Sequence, residues 1–137
     1  EMDFTKDSKF FEAEYRAPAD LYMFAIPCTN NSIAKNPSTR SVDHPYGDET
    51  DPDVSVANNM MVLMCGRILR LLSLGASIII ENPLLSYLFL QDHVACLAGS
   101  DGFVCVRADQ CQHGTPFQKG QIWIGNVEAL RAIAAVC

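Results

Sequence analysis

Four short apolar runs along the chain predict buried β-strands. Each run is rich in β-branched or aromatic residues and is bounded by proline, glycine or polar residues. The runs are residues 21–26, 77–80, 103–106 and 121–124. The run at 77–80 is too short for a helix, and its β-branched side chains are typical of a buried parallel strand.

Three longer segments predict helices. In the first, residues 54–74, apolar side chains repeat near the helical period at Val56, Met60, Met64, Ile68 and Leu72. Gly75 follows directly and predicts the C-terminal end of this helix. A second helix is predicted over residues 84–97, with Pro83 near its first turn. A third is predicted over residues 127–136, with Asn126 as its N-terminal cap.

Between the first strand and the first helix, residues 29–53 are mostly polar and contain several proline and glycine breakers. This composition predicts a long loop, and a loop of that length inside one domain is usually functional or mobile. Strands that alternate with helices predict an α/β fold. We expect a Rossmann-like, mostly parallel sheet with flanking helices in one domain over residues 1–137. Ligands of such sheets bind at the carboxyl ends of the strands.

The composition narrows the possible functions. The chain has 137 residues, of which 49% are hydrophobic, so it can form one domain with a core. Its net charge is −6, and its Lys and Arg residues are scattered. Because phosphate contacts need clustered basic side chains, this balance disfavours a nucleic-acid binder that acts alone. Any DNA contact must be local or be supplied by another segment or partner.

The six cysteines do not predict a metal site. No two of them form a CxxC pair, and the histidines are not at ligand spacing either. We therefore expect no metal and reduced thiols, in an intracellular protein of the nucleus or cytoplasm. We expect no signal peptide and no membrane contact, since Arg67 and Arg70 interrupt the longest apolar stretch, residues 60–74.

Three polar motifs follow or precede the predicted strands. Cys28 comes after Pro27 at the end of the first strand, Glu81 begins a Glu-Asn-Pro turn after the second, and Gln118 lies just before the fourth. In this order they resemble the cytosine 5-methyltransferase family, in which Pro-Cys, Glu-Asn and Gln-x-Arg segments form the site. The resemblance covers residues 3–126. The Glu-Asn-Pro form and the Arg40-Ser41 pair are similar to methyltransferase-like domains of retroelements and viruses.

The resemblance implies S-adenosyl-L-methionine-dependent methylation of cytosine in DNA. Cys28 would be the nucleophile that adds to ring carbon 6, so that carbon 5 can attack the methyl group. Glu81 would be the acid at ring nitrogen 3, where it stabilises the developing charge. The target base must first leave the duplex stack.

The resemblance also assigns supporting residues. Asn82 would fix its loop beside the base, and Gln118 would support the site. Ser32 and Arg40 would contact the phosphate or close over the base, with Arg40 on the phosphate side. Two acids are implied for the cofactor: Asp3, beside its adenine, and Asp20.

The chain departs from the family at both ends and inside its motifs. The Gly-rich cofactor loop and the target-recognition region are missing, so we expect a catalytic core that is truncated at both ends. Thr29 stands where the family usually has Gln, and Lys119 is the only basic residue of the Gln118 segment. The missing parts would come from a larger polyprotein or from a protein partner.

Two other functions remain open at this stage. The first is a catalytically inactive methyltransferase-like remnant that serves as a binding or assembly module, because the cofactor loop is missing. The second is a thiol hydrolase that uses Cys28 with His44 or His93. Taken singly, a Cys after Pro is most often a small buried hydrophobe, and Glu-Asn-Pro is most often a turn.

Overall fold

The computed structural model describes residues 19–33 and 38–137. In these ranges the strands are β1 (Leu21–Ala25), β2 (Ser77–Pro83), β3 (Val104–Asp109) and β4 (Gly120–Gly125). The α-helices are α1 (Pro52–Ser73) and α2 (Asp92–Ala98). Three short 3₁₀ helices span Tyr87–Leu90, Gln110–His113 and Glu128–Ile133. The α/β class predicted from the sequence is therefore confirmed.

The four strands form one mixed sheet in the order β1-β2-β4-β3. β1 and β2 are parallel neighbours, and β4 runs antiparallel to both β2 and β3. The expected mostly parallel sheet is therefore a mixed one: β1, β2 and β3 share one direction, but only one of the three strand pairings, β1–β2, is parallel. The reason lies in the connections: α1 links β1 to β2 by a crossover, whereas residues 110–119 are too short for one and return the chain antiparallel beside β3.

The core lies between α1 and one face of the sheet. Met61, Ile68, Ile78, Ile80 and Leu88 are fully buried there. Burying each such side chain contributes about 1.5–3 kcal/mol. A smaller cluster of Val104, Val106 and Leu130 covers part of the opposite face.

Residues next to α1 in the sequence determine where this helix begins and ends. The Asp51 side chain caps the helix by accepting a hydrogen bond from the backbone N–H of Asp53, and Pro52 occupies the first turn. After the helix, Gly75 adopts φ +82°, a conformation that glycine reaches without strain. The predicted end of the first helix is confirmed.

The other two helix predictions were wrong in detail. Residues 84–97 are not one helix, since Gln91 is extended (φ −76°, ψ 132°) and separates the 3₁₀ helix from α2. Residues 127–136 form a 3₁₀ helix followed by an extended tail, in which Ala135 bridges to Ala108 of β3. Asn126 does not cap this segment. Its side chain accepts a hydrogen bond from the Ile78 N–H and donates one to the Ala76 carbonyl, which ties β2 to the end of β4.

The expectation of reduced thiols was wrong for two of the six cysteines. Cys111 and Cys137 form a disulfide, whereas Cys28, Cys65, Cys96 and Cys105 are free. The bridge between Ala108 and Ala135 lays the C-terminal tail along β3 and brings the two thiols together.

Burial raises the pKa of the Cys65 thiol to about 11.

Across the described ranges, the helices are all too short or too polar to span a lipid bilayer.

Candidate active site

Cys28 and Glu81 lie at the same edge of the sheet. The parallel register places Ala25 level with Glu81, and Cys28 follows Ala25 by three residues. Three residues of extended chain span about 10 Å. Cys28 is partly buried, as is Glu81. The predicted Glu-Asn-Pro turn is wrong, because residues 81–83 form the end of β2. The two predicted catalytic residues still come to neighbouring strand ends, at the edge where ligands of parallel α/β units bind.

The loop that carries Cys28, residues 28–33, is held against the segment that follows β2. The buried Asn82 side chain donates a hydrogen bond from Nδ2 to the Ile26 carbonyl over 2.8 Å. Ser32 forms an antiparallel bridge with Ser86, and the Tyr87 N–H donates to the Asn31 carbonyl over 2.7 Å. Asn82, which is only 1% exposed, therefore fixes this loop rather than facing solvent.

Glu81 receives its hydrogen bond from a residue outside the predicted site. Gln121 Nε2 donates to Glu81 Oε1. Gln121 lies opposite Pro83 in the antiparallel β2–β4 register, and Trp123 lies opposite Glu81. The side chains of Gln121 and Glu81 are therefore diagonal neighbours on one face of the sheet. The strand register, rather than the motif, shows that Gln121 contacts Glu81.

Gln118, the predicted supporting residue, hydrogen-bonds to another carboxylate. Its Nε2 atom donates to Asp109 Oδ2 over 3.1 Å. Asp109 also accepts from Arg107 Nε and Nη2, each at 2.9 Å, and from the Cys137 N–H at 3.0 Å. These donors, the Arg107 guanidinium first, hold the pKa of the Asp109 carboxyl well below its usual range. Gln118 thus belongs to a cluster that ties its loop to β3 and the C-terminal tail.

Arg40 does not have the open position that a phosphate contact requires. It is only 5% exposed. Its Nε atom donates to the Asn30 carbonyl over 2.6 Å, and Nη1 donates to the Pro45 carbonyl and to Asn58 Oδ1, each over 2.8 Å. Burial lowers the pKa of Arg40, and the nearby charge of Glu49 partly opposes that effect. The prediction that Arg40 faces substrate is therefore corrected: it lies inside the protein.

Of the two predicted cofactor acids, Asp20 is not brought to the site. Asp20 precedes β1, and its carbonyl accepts a hydrogen bond from the Ser77 N–H at the amino end of the β1–β2 pair. The five residues of β1 separate it from the Cys28 edge by about 17 Å. Asp3 lies outside the described residues.

The histidines give no support to a thiol hydrolase. The backbone N–H of His44 bonds to Ser41, and the ring of His93 packs edge-on against Tyr46 with centroids 5.7 Å apart. His93 Nε2 is buried and finds no hydrogen-bond partner among the described residues. A cysteine nucleophile needs a base within hydrogen-bonding reach. Among the described residues, neither the His44 ring nor the His93 ring forms a hydrogen bond with Cys28.

One group of residues in the described part of the chain has the spacing of metal ligands. Potential ligand atoms of Asp109, Cys111 and Cys137 lie within 4.8 Å of one another. However, the two sulfurs are joined as a disulfide, and both Asp109 oxygens already accept hydrogen bonds. Because a metal prefers a free thiolate and an available carboxylate, this group does not suit an ion.

The described residues do not by themselves fit S-adenosyl-L-methionine. No glycine-rich turn among them leads from a strand directly into a helix, the feature that would cradle the cofactor. The cleft between the Cys28 loop and α1, lined by Pro27, Val56 and Met60, has a volume of about 80 Å³. Pockets for ligands of that size measure roughly 300–1,000 Å³.

Comparison with known proteins gives no relative for this chain. No protein-family model matches it, and neither a curated protein nor a solved structure does.

Proposed function

We propose that this chain forms the target-base half of a DNA cytosine 5-methyltransferase site, with Cys28 as nucleophile and Glu81 as acid. The observation that carries the proposal is the parallel β1–β2 register, in which Ala25 is level with Glu81. The Asn82 hydrogen bond to the Ile26 carbonyl supports it further, because this bond fixes the chain two residues before the thiol. Such an enzyme works on DNA in the nucleus or cytoplasm.

In this proposal the two side chains share the activation of the ring. The Cys28 thiolate forms a bond to carbon 6, and the electron pair of the carbon 5–carbon 6 double bond moves toward nitrogen 3. Glu81 delivers a proton to nitrogen 3, so that the adduct is a neutral enamine with a nucleophilic carbon 5. The uncharged amide of Gln121 donates a hydrogen bond to the Glu81 carboxyl and holds it in place. S-adenosyl-L-methionine would supply the methyl group, although the described residues do not by themselves hold it.

DNA is the proposed partner, but this chain contributes little to DNA affinity. With a net charge of −6, it cannot neutralise many phosphates. The affinity and the choice of target sequence would come from other segments of a larger polypeptide or from a protein partner.

The test measures hydrogen exchange at cytosine carbon 5. Thiolate addition makes carbon 5 basic, so it takes a proton from solvent, releases its original hydrogen and then expels the thiolate. In an oligonucleotide with deuterium at carbon 5, we expect loss of the label, which mass spectrometry detects. Cys28→Ser should abolish this loss. Cys105→Ser, which changes an exposed free thiol on β3, is the matched control and should preserve it.

The outcomes are decisive for the role of Cys28. Exchange that survives in Cys28→Ser, or that is lost equally in Cys105→Ser, would refute the proposed nucleophile. Absence of exchange in the unaltered chain, at concentrations at which the oligonucleotide is bound, would refute the claim that these residues activate cytosine.

A second candidate is a non-catalytic binding or assembly module. Its support is the half-exposed apolar side chains on the outer faces of β1 and α1. These are Leu21, Met23, Val62, Leu63 and Leu69, each 50% exposed or more. Exposed apolar surface often marks an interface with another protein. The cytosine exchange experiment separates the two functions, since label loss that depends on Cys28 counts strongly against the inactive module.

A further inference from the structure

The Arg40 guanidinium lies where three parts of the protein meet. Through Nε it binds the carbonyl of Asn30, two residues after Cys28. Through Nη1 it binds the carbonyl of Pro45, in the long loop, and the Asn58 side chain of α1. One side chain therefore joins the Cys28 loop, the long loop and α1.

Asn58 extends this network on the helix side. It is only 7% exposed, and its Nδ2 atom donates to the Tyr46 carbonyl over 2.9 Å and to Glu49 Oε1 over 3.1 Å. Its oxygen faces Arg40 and its nitrogen faces the loop, so both ends of the amide are paired. Asn30 makes a second contact with α1, from Nδ2 to the Asp53 carbonyl over 3.3 Å.

The loop backbone at Gly47 packs closely against the stem of Arg40. A Cβ atom at Gly47 would lie 2.5 Å from the Thr39 carbonyl oxygen and 2.9 Å from Arg40 Cγ. Gly47 also has φ +68°, which other residues rarely adopt. Glycine at this position allows the loop to close around the stem of the arginine.

We infer that Arg40 is a positioning residue for Cys28, and that it holds the Cys28 loop against α1 rather than binding a DNA phosphate. Arginine suits this role because its planar fork can serve several acceptors in fixed directions at once, which a lysine ammonium cannot match. To reach a phosphate, the guanidinium would have to break its buried bond to Asn58 Oδ1 and its partly buried bonds to the Asn30 and Pro45 carbonyls, which is unfavourable. The effect of this residue on catalysis rests on the proposed function, but its effect on the Cys28 loop does not.

The first experiment compares Arg40→Met with Arg131→Met, a matched control at an exposed arginine of the 3₁₀ helix Glu128–Ile133. Alkylation by iodoacetamide is followed at Cys28 by peptide mass spectrometry. We expect the released loop to expose the thiol, so that Arg40→Met alkylates about tenfold faster, whereas Arg131→Met reacts at the unaltered rate. Equal alkylation rates in all three proteins would overturn the inference, whatever the outcome of the cytosine experiment.

The second experiment separates positioning from phosphate binding. For Arg40→Met we expect cytosine exchange to slow by about 10- to 100-fold, because a displacement near 1 Å can cost that much. DNA affinity and its salt dependence should stay unchanged. A lost phosphate contact would instead weaken DNA binding and reduce the slope of log affinity against log salt by about 0.9. That result, with the exchange rate of bound DNA unchanged, would also overturn the inference.

A double variant separates positioning from mere stability. Arg40→Met leaves Asn58 Oδ1 without its donor, whereas Arg40→Met with Asn58→Leu replaces both partners by apolar side chains. Removing both is much less costly than removing one. We expect the double variant to regain thermal stability while Cys28 alkylation stays fast, because the bond from residue 40 to the Asn30 carbonyl is still missing. If alkylation returned to the original rate together with the melting temperature, Arg40 would have only a structural role.

Discussion

Gly125 offers a direct test of the strand order on which the candidate site depends. It ends β4, where it pairs with Ile79 of β2 and Val104 of β3. A Cβ atom at this position would overlap the backbone carbonyl oxygen of Ile78. Because that obstacle is backbone in the middle of the sheet, it cannot rotate away, and Gly125→Ala must push β4 from β2.

The expected loss lies at the upper end of the cost of overpacking, about 3 kcal/mol of unfolding free energy. Gly66→Ala is the matched control, because Gly66 is exposed on α1 and an added Cβ meets no atom within 4 Å. In a helix this change should gain about 1 kcal/mol. For a chain of this size, 1 kcal/mol corresponds to about 4 °C in melting temperature. Gly125→Ala should therefore melt about 12 °C lower, and Gly66→Ala about 4 °C higher.

Thermal unfolding followed by circular dichroism measures both shifts. If Gly125→Ala melted at the same temperature as the unaltered protein, β4 would not lie against β2 at Ile78. The hydrogen bond from Gln121 to Glu81, which depends on the same pairing, would then lose its basis.

Two further predictions concern the cluster around Asp109 and the disulfide. Because the pKa of Asp109 is lowered in the folded protein, its ionised form stabilises the fold above its unfolded pKa of about 3.9, and this contribution is lost as the pH falls below that value. Asp109→Asn should therefore lower the melting temperature at pH 7 and have a smaller effect at pH 3; an equal loss at both pH values would contradict the ionic role. The Cys111–Cys137 disulfide joins residues 26 apart, so its loop-closure entropy stabilises the fold by about 3–4 kcal/mol. Chemical denaturation with and without a reductant should show this difference, and coincident transitions would mean that the tail is not linked.

Periodicity predicted the elements whose signal is local. The helix over residues 54–74 corresponds to α1, and Gly75 ends it because only glycine enters the left-handed region easily. The four apolar runs correspond to the four strands. The predictions failed where a side chain had a distant partner: Asn126, a good cap by type, instead binds two backbone groups near Ile78, 48 residues away.

Motif order predicted part of the candidate site. Cys28 follows β1 and Glu81 lies near the end of the parallel strand β2. Such strands end at one edge of a sheet, so the proximity of the two residues was predictable. Their chemical roles remain predictions. The hydrogen bonds around Cys28 and Glu81 were not predictable from the sequence. Gln121 binds Glu81, 40 residues away along the chain, and Arg40 binds Asn30, 10 residues away.

The sequence alone determined the α/β class, the position of α1 and the strand ends that carry Cys28 and Glu81, since these follow from short-range patterns of apolar, polar and glycine residues. Only the tertiary structure decided that β4 lies between β2 and β3, that Gln121 rather than Gln118 binds Glu81, and that Arg40 is buried. Those outcomes depend on strand register and on which polar groups find partners when water is excluded. Neither the strand register nor the pairing of polar groups is set by the neighbours of a residue along the chain.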